Sequence, residues 1–468
     1  MSSHRSHLSA AAVAAVVLAV TAAAPAVSYA DDRPAGARAF DASVSTRADF
    51  DGDGYPDVAV AAPGGTVNGQ AGAGYLAVVY GMADGPDGVK RQIISQDRYA
   101  IPGTAEAGDG FGTHLTAADL DGDGYTDLIV GTPGEDIGST PDVGLHTVLW
   151  GGVGGLATAA NIGEGRAETR AGDFDGDGHL DLATAGGTRY GPFTRDGGAA
   201  RTGPLADVDV PVYAMEAGDL DGDGTTDLVV SSASGVPDDG GTVPPPRLRL
   251  FKGTENGLVA GEFIASPDTA SVDSIALGDV DGDGRQDVVF GRPTAAGGGL
   301  VGVVRGTATG LAARATLIGQ DTADVPGTGE SGDRFGTDVS VGDVTGDGYA
   351  DVVAGVPGED LGTVTDAGNF TVLRGSAAGV TGTGAQSFSQ DTAGVPGAAE
   401  NGDRFGTRTA VVGTYVAVGA PAENGGNGSV WVFPGTASGL TATGSVSFGP
   451  GTLAAPVPGA RFGSAFHR

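Results

Sequence analysis

Carboxylates recur along this chain at a spacing that can bring several of them to one point. From 119 to 127 the sequence reads DLDGDGYTD, with acids at the first, third, fifth and ninth places: Asp119, Asp121, Asp123 and Asp127. The pattern returns as Asp49, Asp51, Asp53 and Asp57; as Asp173, Asp175, Asp177 and Asp181; as Asp219, Asp221, Asp223 and Asp227; and as Asp279, Asp281, Asp283 and Asp287. A sixth copy holds Asp343, Thr345, Asp347 and Asp351, with threonine at the third place. Carboxylates crowded into one turn repel one another, and a hard divalent cation removes that cost. Ca2+ accepts about six to eight oxygen ligands in irregular geometry, whereas Mg2+ demands a stricter octahedron. Zinc favours Cys and His, and the chain has no Cys. The residues named are therefore candidate ligands for up to six Ca2+ ions.

Glycines at places four and six permit the left-handed backbone that such coiling needs. The seventh residue is expected to offer only its backbone carbonyl, so its identity varies: Tyr55, Tyr125, His179, Thr225, Arg285 and Tyr349. An EF-hand differs, running about twelve residues between helices; here β-branched, strand-like runs flank the loop. Asp-Gly is also an ordinary hairpin signal, but acids held in register through every copy favour metal over turns alone.

The loops must be positioned by something that repeats with them. Their starts, 49, 119, 173, 219, 279 and 343, recur at roughly 60 residues, a period of propeller blades rather than of shorter solenoid repeats. A seventh unit, from Phe405, keeps the strands but has Gly413–Tyr415 where the acids would be. The second unit shows the expected blade: an inner strand over 111–118, the acidic loop, a strand from Leu128, a long loop over 134–144, a strand from Leu145, and a weak outer strand. A phrase beginning at Gln96, Gln320 and Gln390 joins successive units and ends in Phe111, Phe335 and Phe405, with an echo at Phe462. These phenylalanines are expected to wedge between blades. Unit three is the least regular. Phe40 and the closing RFGSAFHR both resemble a first strand, which leaves ring closure open.

Residues 1–30 read as a secretory signal: a basic start at His4 and Arg5, an apolar run from Ala10 to Ala24, and Ser28-Tyr29-Ala30 before the cut. Residues 31–468 would form the propeller, exported and extracellular, without membrane insertion. Acids outnumber bases 58 to 25, for a formal charge of −33. That balance opposes nucleic acid as a partner, since such binding needs a basic footprint.

The Phe-Gly phrases, the acidic loop, and the GTP, GVP and GAP triplets at Gly131, Gly355 and Gly419 together resemble the FG-GAP repeats of integrin α-subunit β-propellers and related repeats of secreted bacterial proteins. The resemblance covers nearly all of the chain after the signal. It implies an all-β fold, a seven-bladed β-propeller with Ca2+-binding loops between the first two strands of most blades. Carried over by position, the ligands are the Asp residues named above. Acidic loops in six units are more than the few typical of integrins.

Catalytic patterns are sparse. No GxSxG, HExxH or phosphate-binding loop ending in Lys occurs. Carboxylate pairs are plentiful, but one active site needs one constellation, and these repeat. The expectation is a monomeric, non-enzymatic binding or adhesion module for an extracellular protein or carbohydrate. The alternatives are a secreted hydrolase with a carboxylate pair in the propeller, and a structural surface protein. Loops over 134–144, 236–246 and 358–368 would lie on the face opposite the acidic loops.

Overall fold

The computed structural model describes residues 47–468, apart from 84, 99–100, 206–211, 233–246, 265–271 and 309. The signal segment, Phe40 and the 236–246 loop lie outside the described residues. The rest forms a seven-bladed β-propeller of antiparallel sheets.

Blade two runs outward from the channel as His114–Ala118, Asp127–Thr132, Leu145–Trp150 and Thr158–Glu164. The inner strand starts three residues later than expected, because Phe111, Gly112 and Thr113 turn the chain into it. The outer strand is seven residues long, not weak. Blade three is four-stranded despite its irregular sequence, with Thr169–Gly172 innermost and Arg201–Gly203 outermost. In blade seven, Arg408–Val412 and Tyr415–Ala420 pair through a tight turn where other blades have acids. Second strands such as DLIVGT and DVVAGV are buried along their whole length, as expected for β-branched runs covered on both faces.

Among the described residues, seven apolar clusters each join two neighbouring blades around the ring. Phe111, Phe335, Phe405 and Phe462 sit in four of them, each fully buried. Burial of each ring contributes about 3 kcal/mol. Ring closure is resolved by residues 462–468. Phe466 pairs antiparallel with Val60, inside the second strand of blade one, Val58–Ala62. Ala61 N–H donates to the Ala465 carbonyl at 2.9 Å, and Gly463 N–H donates to that of Ala61 at 2.9 Å. The closing segment thus takes the inner position of blade one and meets blade two, where Ala117 N–H donates to the Arg468 carbonyl at 2.8 Å.

Candidate metal centres in the acidic loops

Each acidic loop coils around its own first carboxylate. In all six, the sixth-place glycine N–H donates to that carboxylate at 2.7–2.9 Å. The fifth-place acid accepts the seventh N–H, as Asp53 does from Tyr55 at 3.1 Å. The glycines at places four and six have positive φ, 71° and 87° for Gly52 and Gly54.

The ninth acid is buried at the root of the loop. Asp57 Oδ2 accepts the Phe50 N–H at 2.7 Å, and Oδ1 accepts that of Gly81 at 2.8 Å. The same pair of bonds recurs at Asp127, Asp181, Asp227 and Asp287. Burial pushes these carboxyls up, to about 8 at Asp57, about 7 at Asp127, Asp181 and Asp227, and about 6 at Asp287; the backbone bonds oppose it, and the neighbouring acids add to it. A divalent cation would favour the ionised form.

Ligand oxygens converge in five loops. Those of Asp49, Asp51 and Asp53 lie within 4.8 Å of one another, as do those of Asp119, Asp121 and Asp127; Asp173, Asp175 and Asp181; Asp219, Asp221 and Asp227; and Asp279, Asp281 and Asp287. The sets differ from a uniform cage. The ninth acid joins four of them, while loop one uses the fifth-place Asp53 and leaves Asp57 on its backbone donors. Asp123, Asp177, Asp223 and Asp283 stand exposed outside their triads. In loop six, the Thr345 hydroxyl donates to Asp343 at 3.3 Å; Asp347 is exposed and Asp351 buried, and no such acid triad forms among the described residues. The all-oxygen donor sets fit Ca2+. So does Asp121 Oδ1, buried with no hydrogen-bond partner.

Each triad is faced by a basic side chain that the motif does not contain. Lys90 contacts Asp51 and lies 3.0 Å from Asp53. Arg195 lies 2.5 Å from Asp121 and from Asp123. Arg201 meets Asp175 at 2.5 Å, Lys252 contacts Asp221 and Asp223, and Arg305 reaches Asp281 at 2.6 Å. Lys252 and Arg305 directly precede the glycine that binds the ninth acid. In blades one to three that position is aromatic, and Lys90, Arg195 and Arg201 lie over Tyr80, Trp150 and Tyr190 instead.

The seventh and eighth places also do more than expected. The Tyr125 ring packs on Gly52 of the preceding loop, and the Tyr349 ring on Gly282. Thr126 and Thr226, at the eighth place, bond to Asp49 and Asp173 of the loop before. Adjacent loops are therefore stitched in pairs.

Three stretches, 40–79, 111–148 and 335–373, match the family model of the FG-GAP repeat, and 219–290 matches an FG-GAP-like repeat. Integrin alpha-IIb of Homo sapiens is 36% identical over 96 residues, covering 20% of this chain and 8% of that protein. Integrin alpha-5 of Xenopus laevis is 36% identical over 98 residues, 21% of this chain and 9% of that protein. The phosphatidylinositol-glycan-specific phospholipase D of Rattus norvegicus is 30% identical over 167 residues, 34% of this chain and 19% of that protein. The chain thus spans at most 19% of the length of these relatives.

Proposed function

We propose, for a chain that is an FG-GAP repeat protein homologous in part to integrin alpha subunits, that it is an exported, Ca2+-stabilised propeller that binds an extracellular protein or carbohydrate. The observation that carries this reading is that the same acidic motif brings three carboxylates together in five blades. Metal-loaded repeats need such recurrence; a hydrolytic centre does not. The likeness to the phospholipase covers 19% of that protein, so its activity does not come with it. The ions would be held by the triads; the ninth acid, a member of four of them, also anchors its loop to the sheet through its backbone donors. Bound Ca2+ supplies the charge that lets the carboxylates stay ionised together. The loops on the opposite face are left to a ligand.

Mass action sets the expected effect. A loop with a Kd of about 10⁻⁴ M gains about 1.4 kcal/mol at about 1 mM Ca2+. With five loops loaded, the melting temperature should rise by on the order of 5–10 °C over an EDTA-treated sample. Binding of the Ca2+-loaded protein to glycan and matrix-protein arrays, with the EDTA-treated sample alongside, then tests recognition. Unchanged melting and no bound Ca2+ by elemental analysis would remove the metal reading. Ca2+-dependent melting with blank arrays would leave a structural role.

A further inference from the structure

Inner strands begin on the face opposite the acidic loops, and there the channel widens into a cavity of about 580 Å³. That volume lies in the range of small-molecule sites. Its charge runs against the rest of the chain. Where the whole sequence carries −33, this wall presents five arginines, Arg166, Arg170, Arg408, Arg461 and Arg468, against three acids, Glu168, Asp273 and Asp338.

The inner arginines are fixed in place. Arg170 lies 3.2 Å from both Glu168 and Glu216. Arg468 bonds to Asp338 and reaches the Ser274 hydroxyl at 3.3 Å. Arg408 Nε donates to the Ser464 carbonyl at 3.0 Å, and its Nη1 lies 3.7 Å from Asp338. These pairings use Glu168 and Asp338. Asp273 is pushed toward its neutral form by burial, against the opposing pull of Arg334 and Arg408. At the rim, Arg166 and Arg461 are exposed and make no ion pair among the described residues.

Arg461 holds a left-handed backbone, φ 54°, as Arg334 and Arg404 do at 63° and 56° in the same place of their units; the second unit has Gly110 there at 67°. Thr113, Thr407 and Ser464 line the same wall. Their hydroxyls donate to the Gly110, Arg404 and Arg461 carbonyls and face a ligand as acceptors, and Tyr213 is 39% exposed beside them. Guanidinium for an oxyanion, hydroxyl oxygens to accept from ligand hydroxyls and a ring for an apolar face make one consistent set of partners.

We infer that this funnel binds a small ligand through a carboxylate or phosphate, received by Arg166 and Arg461 at the rim and Arg408 on the wall. The inference rests on the reading of the chain as a binding module and names the chemistry of one ligand. A long polyanion is disfavoured, because the acids over the remaining surface would repel it.

The test is calorimetric titration of the Ca2+-loaded protein with D-galacturonate, galactose 1-phosphate and galactose: one sugar bearing a carboxylate, a phosphate or neither. Saturable binding of either acidic probe, with none of galactose, is the expected result, and the stronger probe identifies the oxyanion. The double variant R166A/R461A should weaken that binding about tenfold or more without moving the melting temperature, since both side chains are exposed. No saturable binding of either acidic probe, equal binding of galactose, or an unaffected double variant would each overturn the inference. Melting with and without Ca2+ is read on the same samples. If Ca2+ stabilisation persists while probe binding fails, the funnel falls and the calcium module stands; loss of both removes the module.

Discussion

Thr126 and Asp49 are joined by a reciprocal pair of hydrogen bonds across two blades. The Asp49 N–H donates to Thr126 Oγ1 at 3.0 Å, and the Thr126 N–H donates to the Asp49 carbonyl at 3.0 Å. Thr226 and Asp173 repeat the arrangement at 3.1 and 2.8 Å. The first acid of one loop is thus oriented by the eighth residue of the next. Thr126→Val keeps the shape and removes the acceptor, leaving the Asp49 N–H unpaired. It should cost about 1–2 kcal/mol in denaturant unfolding and weaken Ca2+ binding at the first loop. Thr226→Val should behave alike at Asp173, and wild-type unfolding and Ca2+ titration in both variants would disprove the stitching.

Glycine has two separate roles in these loops, and substitution should tell them apart. A Cβ on Gly52 would stand 2.4 Å from the Tyr125 ring, at φ 71°. A Cβ on Gly54, at φ 87°, would meet nothing within 4 Å. Gly54→Ala should therefore cost only the backbone penalty, about 1 kcal/mol. Gly52→Ala adds overpacking and should cost about 2–4 kcal/mol. Tyr125→Ala in the same chain should recover part of the second loss but none of the first. Equal costs for the two glycines in urea unfolding would show that the ring contact carries no energy.

The acids, the wedge phenylalanines and the strands of the acid-free seventh blade were legible because each belongs to a repeat, and repetition reports the role of a position within the unit. What does not repeat was not legible. The eighth place reads Pro56, Thr126, Leu180, Thr226, Gln286 and Ala350, so nothing in the pattern marks its two threonines. Lys90 and Arg195 reach their acids from 37 and 72 residues along the chain. Closure was ambiguous because 462–468 copies the first-strand phrase as well as the segment at Phe40 does. The contact of Phe466 with Val60 is a pairing between distant segments that no local pattern encodes.

Removal of a facing cation should strengthen metal binding at its loop. Lys90 brings positive charge to Asp51 and Asp53, where an ion would bring its own. Its side chain is 46% exposed, so solvent and salt screen the pair and its worth is small. Lys90→Met should raise Ca2+ affinity at the first loop by about threefold to tenfold at low ionic strength. The gain should shrink in about 0.5 M NaCl. Lys252→Met should act alike at Asp221. Calorimetric titration checks both variants, and a fall in affinity would instead assign the lysine a role in holding the loop open.

Stability should depend on pH through the blade junctions as well as the acidic loops. Gln96, Gln320 and Gln390 each donate from Nε2 to a glutamate of the following blade, Glu135, Glu359 and Glu423, at 2.5, 2.7 and 2.9 Å. Burial pushes all three glutamates above the ordinary 4.5, with the glutamine bond opposing it; Asp403 pushes Glu423 up further. A carboxyl with a raised pKa in the folded state keeps a proton that the unfolded chain has released. Folding is then less favourable as pH rises from about 4.5 through the folded value, and the loss is complete above it. Glu423→Gln mimics the protonated form and still accepts from Gln390. It should leave stability unchanged near pH 4.5 and raise it at pH 8, flattening the pH profile of urea unfolding measured at fixed Ca2+. A variant less stable than wild type at pH 8 would mean that the ionised glutamate, not the protonated one, holds blades six and seven together.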